Sequence, residues 1–234
     1  MLTLEDAGKA LRSLHASPLI EIHVGVGNPP FFIQQAFLEA TSDFFIAALR
    51  PHMFEEGKAK RLDFPEDDLE AWGVLLVYIL QRRVPCNLRE HEELCTRCWQ
   101  LGDAYSIPEF RDQAMIHLVS SHRTGHVITR QAATLGLKVS APNSKMRRLV
   151  AEELAFKMKE ERASGRFVMK DLEETIDGQG MPGEYLLAVE RLKDGGRPRE
   201  FQGRTTGIEV YLNVGRLDFL VGKDLARQLP FYLD

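Results

Sequence analysis

The stretch from Phe31 to Arg50, FFIQQAFLEATSDFFIAALR, constrains the fold of this chain more than any other segment. It opens with three apolar residues, as a short strand does, and continues at once into a helical pattern. The stretch contains no phosphate-binding loop, no metal-ligand spacing and no nucleophile beside a base. We therefore predict a strand followed by one helix with a large apolar face. The residues of that face are Phe37, Ala40, Phe44, Phe45, Ala48 and Leu49.

Composition narrows the class of protein. The chain has 234 residues, 44% of them hydrophobic and 27% charged, which is ordinary for one large or two small globular domains. Its 30 basic and 34 acidic residues give a net charge of −4. Nucleic-acid and anionic-membrane binding both favour a basic excess, so we predict neither partner.

Two features of the sequence indicate the cellular compartment: the number of cysteines and the lack of an export signal. No apolar run approaches the ~20 residues of a membrane helix, and the first residues lack the apolar core of a signal peptide. Three cysteines cannot all be paired within one chain. We therefore predict a reducing compartment, cytosol or nucleus.

An amphipathic helix is predicted at the N-terminus, within residues 1–16. Thr3 can cap it, and Leu4, Leu11 and Leu14 recur at helical spacing. This stripe packs either on its own domain or against a second subunit. We name these three leucines as candidate self-association residues.

Three strands and one buried helix are predicted next. Alternation of apolar and polar residues predicts a strand at 19–24, and the apolar run from Phe31 to Ile33 predicts a second strand at 31–34, joined to the first as a hairpin. A short third strand is predicted at 61–64. A helix at 69–81 begins after proline and carboxylates, which favour a first turn. It is apolar nearly all round, so we expect it to be buried on most sides.

Helices dominate the remaining sequence. Periodicity predicts an antiparallel pair at 90–105 and 108–121, joined by a two-residue connector. The composition loosens beyond about residue 122. Further helices are predicted at 144–161, 169–176 and 182–193, followed by a linker at 194–207 and a hairpin at 208–234.

Four segments, taken in order, resemble the BTB (POZ) fold in the form common in fungal proteins. Ser42-x-Phe44-Phe45 and Tyr105-x-Ile107-Pro108 match two of the family's turns. The resemblance covers about residues 17–122 and implies an α+β fold, in which a helical cluster caps a small hairpin-led sheet. Residues 123–193 would then be a helical extension. The matching segments are SPLIEIHVG (17–25), FFIQQAFLEATSDFF (31–45), RLDFPEDDLEAW (61–72) and LCTRCWQLGDAYSIPEFRDQAMIHL (94–118).

The resemblance also implies a function. The family binds proteins: it self-associates, and many members bridge a substrate to a cullin-type ubiquitin ligase. Its cullin-binding members carry a hydrophobic-x-Glu sequence just before the third strand, where this chain has Phe54 and Glu56. The expectation is a non-enzymatic interaction module without metal or cofactor, which forms a homodimer and uses Phe54 and Glu56 on a cullin scaffold.

Two alternatives remain open at this stage. A transcriptional cofactor could use the same fold, although the chain carries no zinc finger or other DNA-reading module. A thiol-redox enzyme could use Cys95 and Cys98, although a reactive pair normally lies at a helix N-terminus and not within a helix. Cys86 and His91 could join them in a zinc set, but the spacing is not standard. We interpret Cys95 and Cys98 as small core residues.

Two further patterns belong to the later part of the chain. Residues 208–234 echo the opening of the BTB-like segment, so they are either an ordinary terminal hairpin or the start of a truncated second repeat. The charged pairs at 147–148, 152–153 and 173–174 are predicted to be solvated helix faces, because nothing in their spacing buries them.

Overall fold

The computed structural model describes residues 16–50, 59–121, 128–164, 169–176, 178, 180–195 and 210–213. Within these ranges the chain forms one three-stranded sheet and nine α-helices. This mixed architecture confirms the predicted α+β class.

The sheet is built around its first strand. β1 (Leu19–Val24) lies between β2 (Phe31–Gln34) and β3 (Arg61–Phe64). β1 pairs antiparallel with β2, with Glu21 opposite Phe32, and parallel with β3. Alternate side chains point into the protein, as the period of two requires. The buried face comprises Ile20, Ile22, Val24, Ile33 and Leu62.

The prediction of a single helix after β2 is wrong. The chain forms two short helices instead, α1 (Gln35–Glu39) and α2 (Asp43–Ala48). Between them Ser42 has an extended backbone, and its hydroxyl oxygen accepts a hydrogen bond of 3.0 Å from the Phe44 N–H. The Thr41 hydroxyl donates to the carbonyl four residues earlier, at 2.7 Å. These side chains satisfy backbone groups at the two helix ends, which ends one helix and starts the next.

The following helices agree with the sequence pattern. α3 (Leu69–Gln81) buries six of its 13 residues, while Leu80 is 58% exposed, and α4 (Glu92–Ala104) and α5 (Pro108–Ser121) pack along each other. A 3-10 helix (Cys86–Glu90) precedes α4, so α4 begins two residues later than predicted. Ser106, in the connector, has φ +54, which reverses the chain within two residues.

One helix of the later part was not predicted. α6 (Arg130–Val139) begins at Thr129, whose hydroxyl oxygen accepts a bond of 3.3 Å from the Ala132 N–H. The predicted helices are confirmed as α7 (Lys145–Ala163), α8 (Met169–Ile176) and α9 (Pro182–Gly195). α9 continues two residues into the predicted linker.

A single apolar core joins the sheet to the later helices. Buried apolar residues from Ile20 to Leu212 form one connected cluster. The backbones of α4 and α5 approach closely, because a Cβ added to Gly102 would lie 2.8 Å from the backbone nitrogen of Arg111. Glycine is therefore required at this crossing.

Near the C-terminus the structure describes four residues. Val210 and Tyr211 form a helical turn, where the predicted hairpin requires a strand. Tyr211 and Leu212 are buried, and their neighbours Val210 and Asn213 are bonded to α7 and α5. Packing on these helices therefore overrides the local strand pattern. The remaining residues of the predicted terminal hairpin lie outside the described ranges.

Candidate interaction surfaces

The five residues named from the sequence as protein-binding candidates lie outside the described part of the chain. They are the N-terminal leucines Leu4, Leu11 and Leu14, and the loop residues Phe54 and Glu56. Their roles stay predictions. The surfaces described below come from the remaining residues.

The two turns that carry the resemblance lie in direct contact. The Ser42 hydroxyl donates a hydrogen bond of 2.5 Å to the carbonyl oxygen of Tyr105. The Tyr105 ring lies 4.8 Å from the Phe44 ring and 5.6 Å from the Trp72 ring, between centroids. Such tilted and edge-on contacts between rings stabilise a core beyond the area they bury. The aromatic cluster comprises Phe44, Phe45, Phe64, Trp72 and Tyr105.

The Asp67 carboxylate binds the polar groups of two side chains in this cluster. Asp67, in the turn before α3, accepts a hydrogen bond of 2.7 Å from the Trp72 indole N–H and another from the Tyr105 hydroxyl. Burial, reinforced by Asp67, raises the pKa of Tyr105 well above its ordinary value. The neighbouring Asp68 caps α3 through the Ala71 N–H, at 2.9 Å. The acidic turn therefore starts a helix, as predicted, and also holds that helix against the connector after α4.

The solvent side of the sheet presents exposed apolar side chains. Leu19 is 57% exposed and Phe32 is 63% exposed. Phe32 lies opposite Glu21, so it is diagonal to Leu19 on the same face and within reach of it. We call this side the outer sheet face. It comprises Leu19, Glu21, His23, Phe32, Gln34, Arg61 and Asp63.

Charges occupy the other half of the outer sheet face. The Arg61 guanidinium bonds both oxygens of Asp63 through Nε, and this bonding lowers the pKa of the Asp63 carboxyl. His23 Nε2 lies 2.7 Å from Glu21 Oε1. No described strand pairs with the outer edge of β2. The outer sheet face therefore combines an apolar patch with charged groups, beside a strand edge that no described strand covers.

One cleft among the described residues is lined mainly by charged side chains. Its volume is about 820 Å³, and it lies beside the 3-10 helix and the start of α4. Glu92 accepts a bond of 2.9 Å from the Thr129 N–H, while Arg97 pairs with Asp68 and Glu93 at 3.2 and 3.3 Å. These charges satisfy the backbone and one another.

Cys95 and Cys98 are fully buried, as the sequence predicts. Burial is the main reason that the pKa of each thiol is raised, and the Cys95 thiol donates to the Leu88 carbonyl at 3.2 Å. Because the thiolate is the reactive form, this environment disfavours redox chemistry. Within the described ranges, no group of three or more His, Cys, Asp or Glu residues could hold a metal ion.

The prediction that the charged pairs of α7 are solvated is wrong. Arg147 is 4% exposed and forms an ion pair of 2.7 Å with Glu184 of α9. Glu152 and Glu153 are also buried. Glu152 accepts the hydroxyl of Tyr211, from near the C-terminus. Periodicity within α7 could not show this burial, because Glu184 lies 37 positions from Arg147 in the sequence and Tyr211 lies 59 positions from Glu152.

Comparison with known proteins adds no assignment, since no family model matches the chain and no curated protein matches it by sequence. Among the described residues, no helix has both the length and the apolar composition needed to cross a bilayer.

Proposed function

We propose that this chain is a non-enzymatic protein–protein interaction module with a BTB/POZ-type fold. The observation that carries the proposal is the hydrogen bond between Ser42 and Tyr105. It joins the two turns that the resemblance singles out, which lie 63 residues apart in the sequence. The strand order β2-β1-β3 and the helices that follow are compatible with the same fold.

Self-association is the first activity that we propose. The outer sheet face exposes Leu19 and Phe32 beside an unpaired strand edge, and exposed apolar groups in this setting favour association. The N-terminal stripe of Leu4, Leu11 and Leu14 supplies a second apolar surface in the sequence. Together they form the proposed interface between two copies.

Recruitment of a cullin-type scaffold is the second activity. Phe54 and Glu56 precede β3 in the sequence, at the place where the family's cullin-binding members carry their hydrophobic-x-Glu signature. An aromatic anchor can fill a groove on the scaffold, and a carboxylate two residues later can fix its orientation.

Sedimentation velocity tests self-association. Wild type is expected to sediment above the 26.6 kDa of one chain, and Phe32→Ser or a triple Leu4, Leu11, Leu14→Ser variant is expected to shift toward the monomer. Leu186→Ser is the matched control, because Leu186 is 62% exposed on α9, outside the outer sheet face. A monomeric wild type would contradict self-association, and unchanged masses for both variants would contradict the proposed interface.

Binding to the purified N-terminal region of a cullin tests recruitment. Wild type is expected to bind, and the double variant Phe54→Ala, Glu56→Ala is expected to lose binding. Glu66→Ala is the control, since Glu66 is an exposed carboxylate in the turn after β3. If wild type binds no cullin, the adaptor role is rejected while the self-association result stands.

A further inference from the structure

The C-terminal segment Val210–Asn213 is held through both backbone and side-chain groups. Its Tyr211 and Leu212 side chains are 1% and 4% exposed. Lys145 donates to the Val210 carbonyl at 2.9 Å, and the Arg148 guanidinium lies 5.9 Å from the centre of the Tyr211 ring. The protein therefore contacts Tyr211 in two ways, through a cation over the face of its ring and through its buried hydroxyl.

The polar contacts at the other end of the segment are matched to asparagine. The Asn213 backbone N–H donates to one Asp112 oxygen at 2.7 Å, and its side-chain amide donates to the other at 2.8 Å. Asp112 lies on α5 and is fully buried. An aspartate in place of Asn213 would oppose one carboxylate with another, and an alanine would leave one Asp112 oxygen without this donor.

A second buried carboxylate, that of Glu152, binds the hydroxyl group of Tyr211. Glu152 of α7 is 3% exposed and accepts the Tyr211 hydroxyl, together with Arg148 at 2.9 Å and Arg191 at 3.1 Å. A phenylalanine would fill the same space but would not donate this bond. The contacts on Asp112 and Glu152 thus select the side chains of Tyr211 and Asn213, with an apolar residue between them.

Chain length does not restrict the segment to its own site. The 14 residues from 196 to 209 lie between the end of α9 and Val210. Fully extended, they could span about 50 Å. The segment is therefore a ligand tethered beside its site, and a tether raises the local concentration of such a ligand without adding a contact.

We propose that Asp112, Lys145, Arg148 and Glu152 form a peptide-recognition site for the sequence Tyr-Leu-Asn, occupied here by the chain's own Val210–Asn213. A partner protein that carries the same three side chains on an accessible segment binds the site by replacing the chain's own copy. This site lies on α5 and α7, away from the outer sheet face, so the inference does not depend on the proposed function.

The test uses the full chain with the recognition sequence of a specific protease in place of residues 198–204. After cleavage, noncovalent contacts hold the C-terminal piece, and a fluorescent peptide of residues 207–214 is titrated in. We expect saturable binding to the cleaved protein, and binding at least about tenfold weaker to the uncleaved protein, because the tethered copy competes. Peptides with Tyr211→Phe or Asn213→Ala should each bind at least about tenfold more weakly, as expected for loss of a hydrogen bond to a charged group.

An uncleaved variant provides an independent measurement. Asn213→Asp places a second carboxylate against Asp112, so the tethered segment should leave and the labelled wild-type peptide should bind more tightly than it does to wild-type protein. Leu186→Ala, exposed on α9, should behave as wild type. Circular dichroism confirms that each protein is folded.

Three results would overturn the proposal. The first is that the labelled peptide fails to bind both the cleaved protein and folded Asn213→Asp protein, which would make the segment a permanent structural strap. The second is that the Phe and Ala peptides bind as tightly as the native sequence. The third is that dimers of the uncleaved chain dissociate when peptide is added, which would assign the site to a second copy of this chain.

Discussion

The side-chain oxygen of Ser42 makes two hydrogen bonds of different range. It accepts the Phe44 N–H at 3.0 Å, which caps α2, and donates to the Tyr105 carbonyl at 2.5 Å, which ties α2 to the connector between α4 and α5. One buried hydroxyl therefore sets both where a helix begins and where it packs. Removing it should cost more than removing an ordinary helix cap.

Ser42→Ala is expected to lower the free energy of unfolding by about 2 kcal/mol, the sum of a lost cap and an unsatisfied buried carbonyl. Ser144→Ala is the matched control, because Ser144 caps α7 through the Arg147 N–H, and among the described residues its hydroxyl bonds to no other element. The control should lose about 1 kcal/mol. Urea unfolding measures both, and equal losses would show that the bond to Tyr105 contributes nothing.

Two helix-interior glycines should respond to alanine in opposite directions. In Gly102→Ala, the new Cβ would meet the backbone of Arg111 at 2.8 Å, so α4 and α5 must separate. Overpacking of this kind costs about 1–3 kcal/mol. In Gly73→Ala, no described residue outside the neighbouring turns of α3 lies within 4 Å of the new Cβ, and better helix propensity should stabilise α3 by about 0.5–1 kcal/mol.

Thermal unfolding of the two glycine variants measures the difference. The melting temperature should fall for Gly102→Ala and rise for Gly73→Ala. If the melting temperature falls by a similar amount in both variants, the close crossing of α4 and α5 is not the reason that position 102 requires glycine.

Local patterns were enough to predict most of the secondary structure. Alternation located β1, whose inward residues, such as Ile20 and Ile22, alternate with polar ones, and the apolar run from Phe31 to Ile33 located β2. The break between α1 and α2 was missed because apolar spacing continues through it. The signal for it is Thr41 and Ser42, whose hydroxyls compete with the helix backbone.

Contacts between distant residues could not be predicted. The local sequence predicts that Glu152 is a solvated residue of α7. In the structure Glu152 is buried, and it accepts a hydrogen bond from Tyr211, 59 positions later. Similarly, the apolar run predicts the strand that contains Phe32, but not that the Phe32 side chain is 63% exposed. The peptide site and the outer sheet face therefore required the structure, whereas the aromatic turns were visible in the sequence.

Thiol labelling separates an interaction module from a redox enzyme. Burial raises the pKa of Cys95 and Cys98, so both should remain protonated thiols at neutral pH and react with a thiol reagent only in denaturant. Cys86 is exposed and should react in the native protein. Mass spectrometry after native labelling is expected to show one modified cysteine per chain. Rapid modification of Cys95 or Cys98 in folded protein would restore the redox alternative.

His117 should make stability depend on pH. Burial, with a contribution from the positive charge of Arg89, lowers the pKa of His117 to about 4. The ordinary pKa of histidine in an unfolded chain is about 6.5, so between these values the unfolded state binds the proton and the folded state does not. Stability is therefore lost as pH falls below about 6.5, and the loss levels off below about 4.

From pH 7 to pH 5, this linkage predicts a loss of about 2 kcal/mol in the free energy of unfolding. In His117→Gln, the same pH change should cost about 2 kcal/mol less than in wild type, whatever the stability of the variant at pH 7. His91→Gln is the control, since His91 is exposed, and it should keep the wild-type dependence. Urea unfolding at pH 7, 6 and 5 measures all three proteins. An unchanged slope in His117→Gln would show that His117 takes up its proton without unfolding.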